Sequence, residues 1–168
     1  MSDALNELVH RSMITELVTL LFVRTDQRDW PGVRACFADR VLFDMTSLAG
    51  GKPELLAAED IVAAWTRGLQ PLTAVHHQVG NFLIDLRGSE AQASCYGIAS
   101  HYLPNPSNAN TRVFVGSYAM HLVWQQSRWL IDEFRFDLKY IEGNRDLEAA
   151  AGRGGAEDTA DGPPDPQP

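Results

Sequence analysis

The sequence predicts an α+β fold: a cone-shaped α+β barrel in which N-terminal helices pack on a strongly curved antiparallel sheet. Three observations carry this. Apolar residues recur at helical spacing early in the chain. Long strand-like runs, separated by short turn sequences, fill residues 73–140. Glycines interrupt three of those runs, and a glycine inside a strand marks a bulge or a bend. Helices on one face of a bent antiparallel sheet leave a mouth open, and the apolar interior behind it suits a small ligand.

Each element follows in order. Over residues 3–28, Leu5, Leu8, Ile14, Leu17, Val18, Leu21 and Phe22 recur three or four apart, one buried stripe of a helix. Pro31 disfavours helical geometry at Trp30, so that helix stops by Asp29. Asp29 then caps a short second helix that turns Val33, Cys36 and Phe37 inward. Val41 to Leu48 alternates as a strand, and Gly50-Gly51-Lys52-Pro53 has turn chemistry. Ile61, Val62, Trp65 and Leu69 mark a helix over 58–69, with Glu59 and Asp60 favourable near its start. Strands follow over 73–86, 91–103, 112–125 and 128–140, with Gly80, Gly97 and Gly116 inside them. From Ala149 the chain holds Ala, Gly, Pro and acids with no large apolar side chain. Such a segment buries too little to offset its ordering entropy. The expected organisation is one domain over residues 1–147 and a disordered acidic tail over 148–168.

Composition excludes several functions. Of the residues, 45% are hydrophobic and 21% charged, an ordinary globular balance. The net charge of −8, with Lys and Arg scattered, argues against a nucleic-acid surface. No apolar stretch approaches the roughly 20 residues that span a bilayer, and the N-terminus lacks the pattern of a signal peptide. Cys36 and Cys95 sit in apolar contexts that suit buried thiols, so a cytoplasmic, reduced protein is expected. No serine elbow, phosphate loop or dinucleotide fingerprint occurs.

Chemistry points to Val75-His76-His77-Gln78-Val79-Gly80-Asn81. Successive strand side chains face opposite ways, so only one of His76 and His77 faces the interior. A histidine titrates near pH 6.5 and moves protons at neutral pH, but an isolated one is more commonly a core residue bonded to a backbone carbonyl. His101 shares a strand face with Gly97 and Ala99, whose small side chains leave room beside it. Arg135 lies between aromatics on the last strand. Facing inward it binds a developing enolate or an acidic substrate; facing outward it pairs with Glu133 or Asp137, and a bulge decides which. A metal site from Asp26, His77, His101 and His121 lacks any paired short spacing, so no metal and no cofactor are expected.

The chain resembles the nuclear transport factor 2-like superfamily, in its SnoaL-like branch near scytalone dehydratase. The resemblance rests on Thr25-Asp26-Gln27-Arg28-Asp29-Trp30, Ala35-Cys36-Phe37-Ala38-Asp39, the His76-His77 stretch and Ala99-Ser100-His101-Tyr102. Gly116-Ser117-Tyr118, Ser127-Arg128-Trp129 and Gly143-Asn144 complete it. It implies that Asp26 is the acid that orients a histidine. It also implies that His77 takes the substrate proton and that His101 is the second histidine. The bland alternative for Asp26 is a surface residue beside Arg24 or Arg28. Where scytalone dehydratase grips its substrate with two tyrosines, Thr25 and Met45 stand here, so the resemblance does not extend to that substrate.

Two readings remain. One is a cofactor-independent, dehydratase-like lyase, or an isomerase using the same base, acting on a small apolar cyclic or polyketide-like molecule. That substrate is expected against Phe43, Met45, Trp65, Phe82 and Tyr118, with His121 in reach by a looser alignment. The other is a non-catalytic ligand-binding or assembly module of the same fold. Val113, Val115, Leu122, Trp124 and Phe134 interrupt the polar alternation of the meander. They suggest a homo-oligomer packed through the outer sheet face, a trimer by the resemblance and a dimer as the alternative.

Overall fold

The structure, a computed structural model, describes residues 3–153. Helix α1 (Asp3–Gln27) buries Ile14, Val18, Leu21 and Phe22, whereas Leu5 and Leu8 at its start are exposed. Asp29 caps α2 (Trp30–Arg34) by accepting from the Gly32 N–H at 3.0 Å, with Pro31 in the first turn where its missing N–H costs nothing. Strand β1 (Phe37–Asp44) starts and ends four residues earlier than the alternation predicts. The Asp44 carboxylate accepts from the Thr46 N–H and hydroxyl at 3.0 and 2.6 Å, which turns the chain into the short helix α3 (Thr46–Ala49). Strand β2 (Glu54–Ala57) was hidden because its apolar residues run directly into those of α4 (Ala58–Leu69).

Four long strands complete the sheet: β3 (Ala74–Arg87), β4 (Glu90–Tyr102), β5 (Thr111–Gln125) and β6 (Arg128–Gly143). The order is β2-β1-β6-β5-β4-β3, and the sheet is not closed. Neighbours are antiparallel except β1 and β6, which run parallel, so the sheet is mixed rather than purely antiparallel. A parallel pair needs a long crossover, and α3, β2, α4 and the meander supply it.

Curvature comes from bulges. In β3 the register shifts between Gly80 and Leu83, and Asn81 takes φ 59°, a left-handed conformation that asparagine tolerates. The extra residue switches parity, so Val75, His77 and Val79 face inward before it and Phe82, Ile84 and Leu86 after it. In β6, Asp132 and Lys139 fall outside the pairing with β5. Gly116 lies at one of these shifts; Gly97 lies at none. Gly97 is a point of close approach instead, since a Cβ there would meet the Tyr118 ring at 2.2 Å.

The core fills the concave side. From β4 it takes only small residues, Ala91, Ala93, Cys95, Gly97 and Ala99. Tyr118, Met120, Leu122, Phe134 and Phe136 supply the bulk from β5 and β6. Leu122 and Phe134 are therefore core residues, and Trp124 packs edge-on against Trp129 and His10. Of the five residues expected on the outer sheet face, only Val113 and Val115 lie there. The expected tail also needs correction. Leu147–Arg153 form helix α5, held by the fully buried Leu147 and by an ion pair from Glu148 to Arg112. The remainder of that segment, 154–168, lies outside the described residues.

Candidate active site

Strand β3 is the last of the sheet, so alternate N–H groups on its free edge have no strand partner. Helix α1 lies along that edge and supplies side-chain partners: Arg11 donates to the Ile84 carbonyl, and Asp26 accepts from the His77 N–H at 2.8 Å. The same Asp26 carboxylate meets the His77 imidazole, Oδ1 to Nδ1, at 2.6 Å. One carboxylate thus grips both the backbone and the ring of one residue. An ionised carboxylate only accepts, so Nδ1 carries the ring hydrogen and Nε2 keeps its lone pair. His77 is nearly buried and packs 5.2 Å from the Phe22 ring, whereas His76 is exposed with its ring 3.9 Å from Asp26.

His77 opens into a cavity of about 310 Å³. Its walls are Phe22 and Thr25 of α1, Met45, Leu48, Trp65 and Leu69 on one side, and Ala99, His101, Arg112, Phe114, Tyr118, Phe134 and Phe136 of the sheet. The small residues of β4 make this space: Ala99 beside His77 and Gly97 under the Tyr118 ring leave volume that larger side chains would fill. Thr25 donates its hydroxyl to the Leu21 carbonyl at 2.8 Å, so that donor is spent within its own helix. The Tyr118 hydroxyl has no hydrogen-bond partner among the described residues, and burial raises its pKa, with Cys95 and Asp26 adding to the shift.

His101 lies across the cavity in different company. Its Nδ1 is 3.3 Å from Nη2 of Arg112, whose guanidinium also pairs with Glu148 through two contacts of 2.6 and 2.9 Å. Burial, then the charge of Arg112 and then that of His77, bring the His101 pKa down to about 4, against smaller opposite effects of Glu148 and Asp26. Arg112 and Glu148 went unnoticed in the sequence. One opens a strand, the other sits where the composition turns tail-like, and a contact across 36 positions leaves no local signal.

Of the side chains expected on the cavity wall, Met45, Trp65 and Tyr118 are there. Four are not. Phe43 stands behind the wall, stacked on Phe134 at 5.5 Å between ring centroids. Phe82 packs into the core on the far side of the β3 bulge. His121 is on the outer sheet face, 2.7 Å from Asp132, because the neighbouring Met120 and Leu122 take the inward positions. Arg135 also faces outward and pairs with Asp137 at 2.9 Å. The bulge at Asp132 sets Phe134 and Phe136 inward and so decides the face that the sequence left open.

Both cysteines are buried, and burial pushes the Cys95 thiol up to about 12 and raises that of Cys36, which suppresses the nucleophilic thiolate. Among the described residues no group of three or more histidine, cysteine or acidic side chains is placed to hold a metal ion. Nor is any helix among them long and apolar enough to cross a membrane.

Helices backing an open, bulged sheet, with a ligand-sized cavity between them, define the cone of the nuclear transport factor 2-like superfamily. Within it the chain belongs to the SnoaL-like domain family, which matches residues 6–135. No curated protein matches the sequence. Among solved structures, the Kfla4162 protein of Kribbella flavida is similar with TM-score 0.80 and 22% identity, over 86% of this chain and 99% of that one. A putative scytalone dehydratase of Novosphingobium aromaticivorans is similar with TM-score 0.71 and 14% identity, over 82% and 89%. The LinA-type3 hexachlorocyclohexane dehydrochlorinase of Novosphingobium barchaimii has TM-score 0.69 and 12% identity, over 85% and 95%. At these identities the likeness is one of fold.

Proposed function

We propose that this protein is a cofactor-independent lyase that eliminates water, or a similar small leaving group, from a small and largely apolar cyclic substrate. The observation that carries this is the double grip of Asp26 on His77, which leaves the Nε2 lone pair free on a ring that lines a largely apolar cavity. His77 removes a proton from a carbon beside an activating carbonyl. The C–H electron pair becomes the new C=C bond, the neighbouring C–O bond breaks, and the departing hydroxide takes the proton from His77 and leaves as water. Asp26 stabilises the imidazolium formed between those steps. His101 donates a hydrogen bond to substrate oxygen, while Met45, Trp65 and Tyr118 hold the apolar body. An isomerase differs only in returning the proton to a different carbon.

Molecules that copurify with the protein, identified by mass spectrometry, and a panel of cyclic β-hydroxy ketones supply the test substrates. His77→Ala is expected to lower turnover about 10²–10⁴-fold, the usual contribution of a general base. Its melting temperature should move by only a few degrees, because Asp26 keeps the backbone N–H of residue 77. Ligand binding without turnover by the wild type would instead support a non-catalytic binding module, a reading favoured by the loss of the Thr25 hydroxyl to its own helix.

Assembly is a separate part of the proposal. Leu83, Tyr96, Ile98 and Tyr140 lie exposed on the outer sheet face, Leu83 at 73%. An apolar patch of this kind is commonly covered by another protein surface, and a second copy of the chain is the proposed cover. Sedimentation at micromolar concentration should show a dimer or trimer that Tyr96→Glu dissociates; a wild-type monomer would remove this part.

A further inference from the structure

Arg112 is the charged side chain on the cavity wall, yet it is poorly placed to bind an anion. Both of its terminal nitrogens contact the Glu148 carboxylate, and Nη1 also donates to the Arg145 carbonyl. Only 15% of the side chain is exposed. Its charge is thus matched within the protein by a carboxylate of α5. The remaining donor, Nε, is buried with no partner among the described residues. A buried donor left unpaired destabilises the fold, so that nitrogen does not explain the placement. Within the cavity Arg112 stands over the Phe114 ring, 5.2 Å from its centroid, and reaches Nδ1 of His101.

That contact has one chemical consequence. A guanidinium has donors and no acceptor, so the nitrogen it meets must carry a lone pair. The hydrogen of the neutral ring therefore sits on Nε2, which has no hydrogen-bond partner among the described residues and belongs to a ring that lines the cavity. A proton on both nitrogens would set an N–H against the guanidinium. The charged groups around the ring are Arg112 and Glu148 on one side and Asp26, paired with His77, on the other.

We infer that Arg112, braced by Glu148 of α5, is a positioning residue that fixes His101 as a neutral Nε2–H donor, and that the site takes uncharged substrates presenting an acceptor oxygen. This rests on the lyase reading for its meaning but not for its test. His101 then supplies a hydrogen bond to oxygen and never gives up its proton, which leaves all proton transfer to His77. A ligand carboxylate finds no free positive charge on the wall, whereas a carbonyl or hydroxyl oxygen finds the imidazole N–H.

The experiment is a long-range ¹H–¹⁵N correlation spectrum of the full chain labelled with ¹⁵N-histidine, recorded from pH 7.5 to 5 without substrate. The expected result is His101 protonated on Nε2 alone throughout, with His77 protonated on Nδ1 at pH 7.5. In Arg112→Ala, His101 should become a tautomer mixture and titrate at higher pH, whereas Glu148→Gln, which removes a charge that raises the His101 pKa, should leave it titrating no higher than in the wild type. Wild-type His101 found with Nδ1–H, or as an imidazolium at pH 7, overturns the inference whether or not the variants fold. So does a folded Arg112→Ala protein with an unchanged His101 signal. In acetophenone titrations at millimolar concentration, the His101 Nε2 resonance should shift more than with benzoate; the reverse order overturns the substrate class. A wrong tautomer at His77 with the expected one at His101 would instead count against the lyase reading alone.

Discussion

The two histidines on the cavity wall sit on neighbouring strands, both with Nδ1 engaged by a charged side chain. For His77 that partner is a carboxylate, Asp26; for His101 it is a guanidinium, Arg112. An acceptor at Nδ1 sends the hydrogen there and leaves Nε2 basic. A donor at Nδ1 sends the hydrogen to Nε2 and keeps the ring neutral. Identical side chains thus take opposite proton patterns from their partners, and under the proposed mechanism the difference divides the labour between a base and a hydrogen-bond donor. The sign of the neighbouring charge, more than the histidine itself, carries the chemistry.

The change that breaks this contrast most severely is Asp26→Asn. An amide has one oxygen where the carboxylate has two. Because the His77 N–H can only donate, the amide oxygen goes to it and the amide NH₂ turns toward the ring. Nδ1 must then accept, and His77 acquires the pattern of His101, with its Nε2 lone pair gone. Turnover is expected to fall about 10²–10⁴-fold, as for loss of the base itself. Steady-state rates on whichever test compound the wild type turns over check this. A loss below tenfold would mean that Asp26 acts only as a counter-charge.

A smaller effect tests the other half. The folded-state pKa of His101 is lowered to about 4, chiefly by burial and then by Arg112. Between that value and the unfolded value near 6.5, the unfolded chain binds the extra proton, so stability falls as pH falls through this window. Denaturant unfolding should show a loss of about 2 kcal/mol between pH 7.5 and 5, which Arg112→Ala diminishes. Carboxylates with lowered values, such as Glu148 beside Arg112, lose their contribution only below the ordinary carboxylate range and leave this interval to histidine. Flat stability from pH 7.5 to 5 would break the comparison at His101.

The half of the site built on His77 was legible because its parts carry local signals. Thr25-Asp26-Gln27 ends a helix before a proline, and a histidine pair interrupts an alternating strand. Which member of the pair faces inward follows once one neighbour is placed. The half built on His101 was legible only at His101. Its partners meet through tertiary folding, and the composition around Glu148 argued for disorder where a buried Leu147 anchors a helix. The face of Arg135 depends on one residue outside the ladder, Asp132, because a single inserted position reverses every side chain beyond it on its strand. Strand alternation read from sequence holds only between bulges, and a strongly curved sheet has several.

The grip of Asp26 on the His77 backbone also offers a clock. An edge-strand amide open to water exchanges its hydrogen quickly, whereas one held at 2.8 Å by a nearly buried carboxylate waits for the helix to lift or for the carboxylate to let go. The deuterium uptake of that one amide therefore reports the state of the Asp26 carboxylate directly. It can be followed across pH, variants and candidate ligands without any turnover assay.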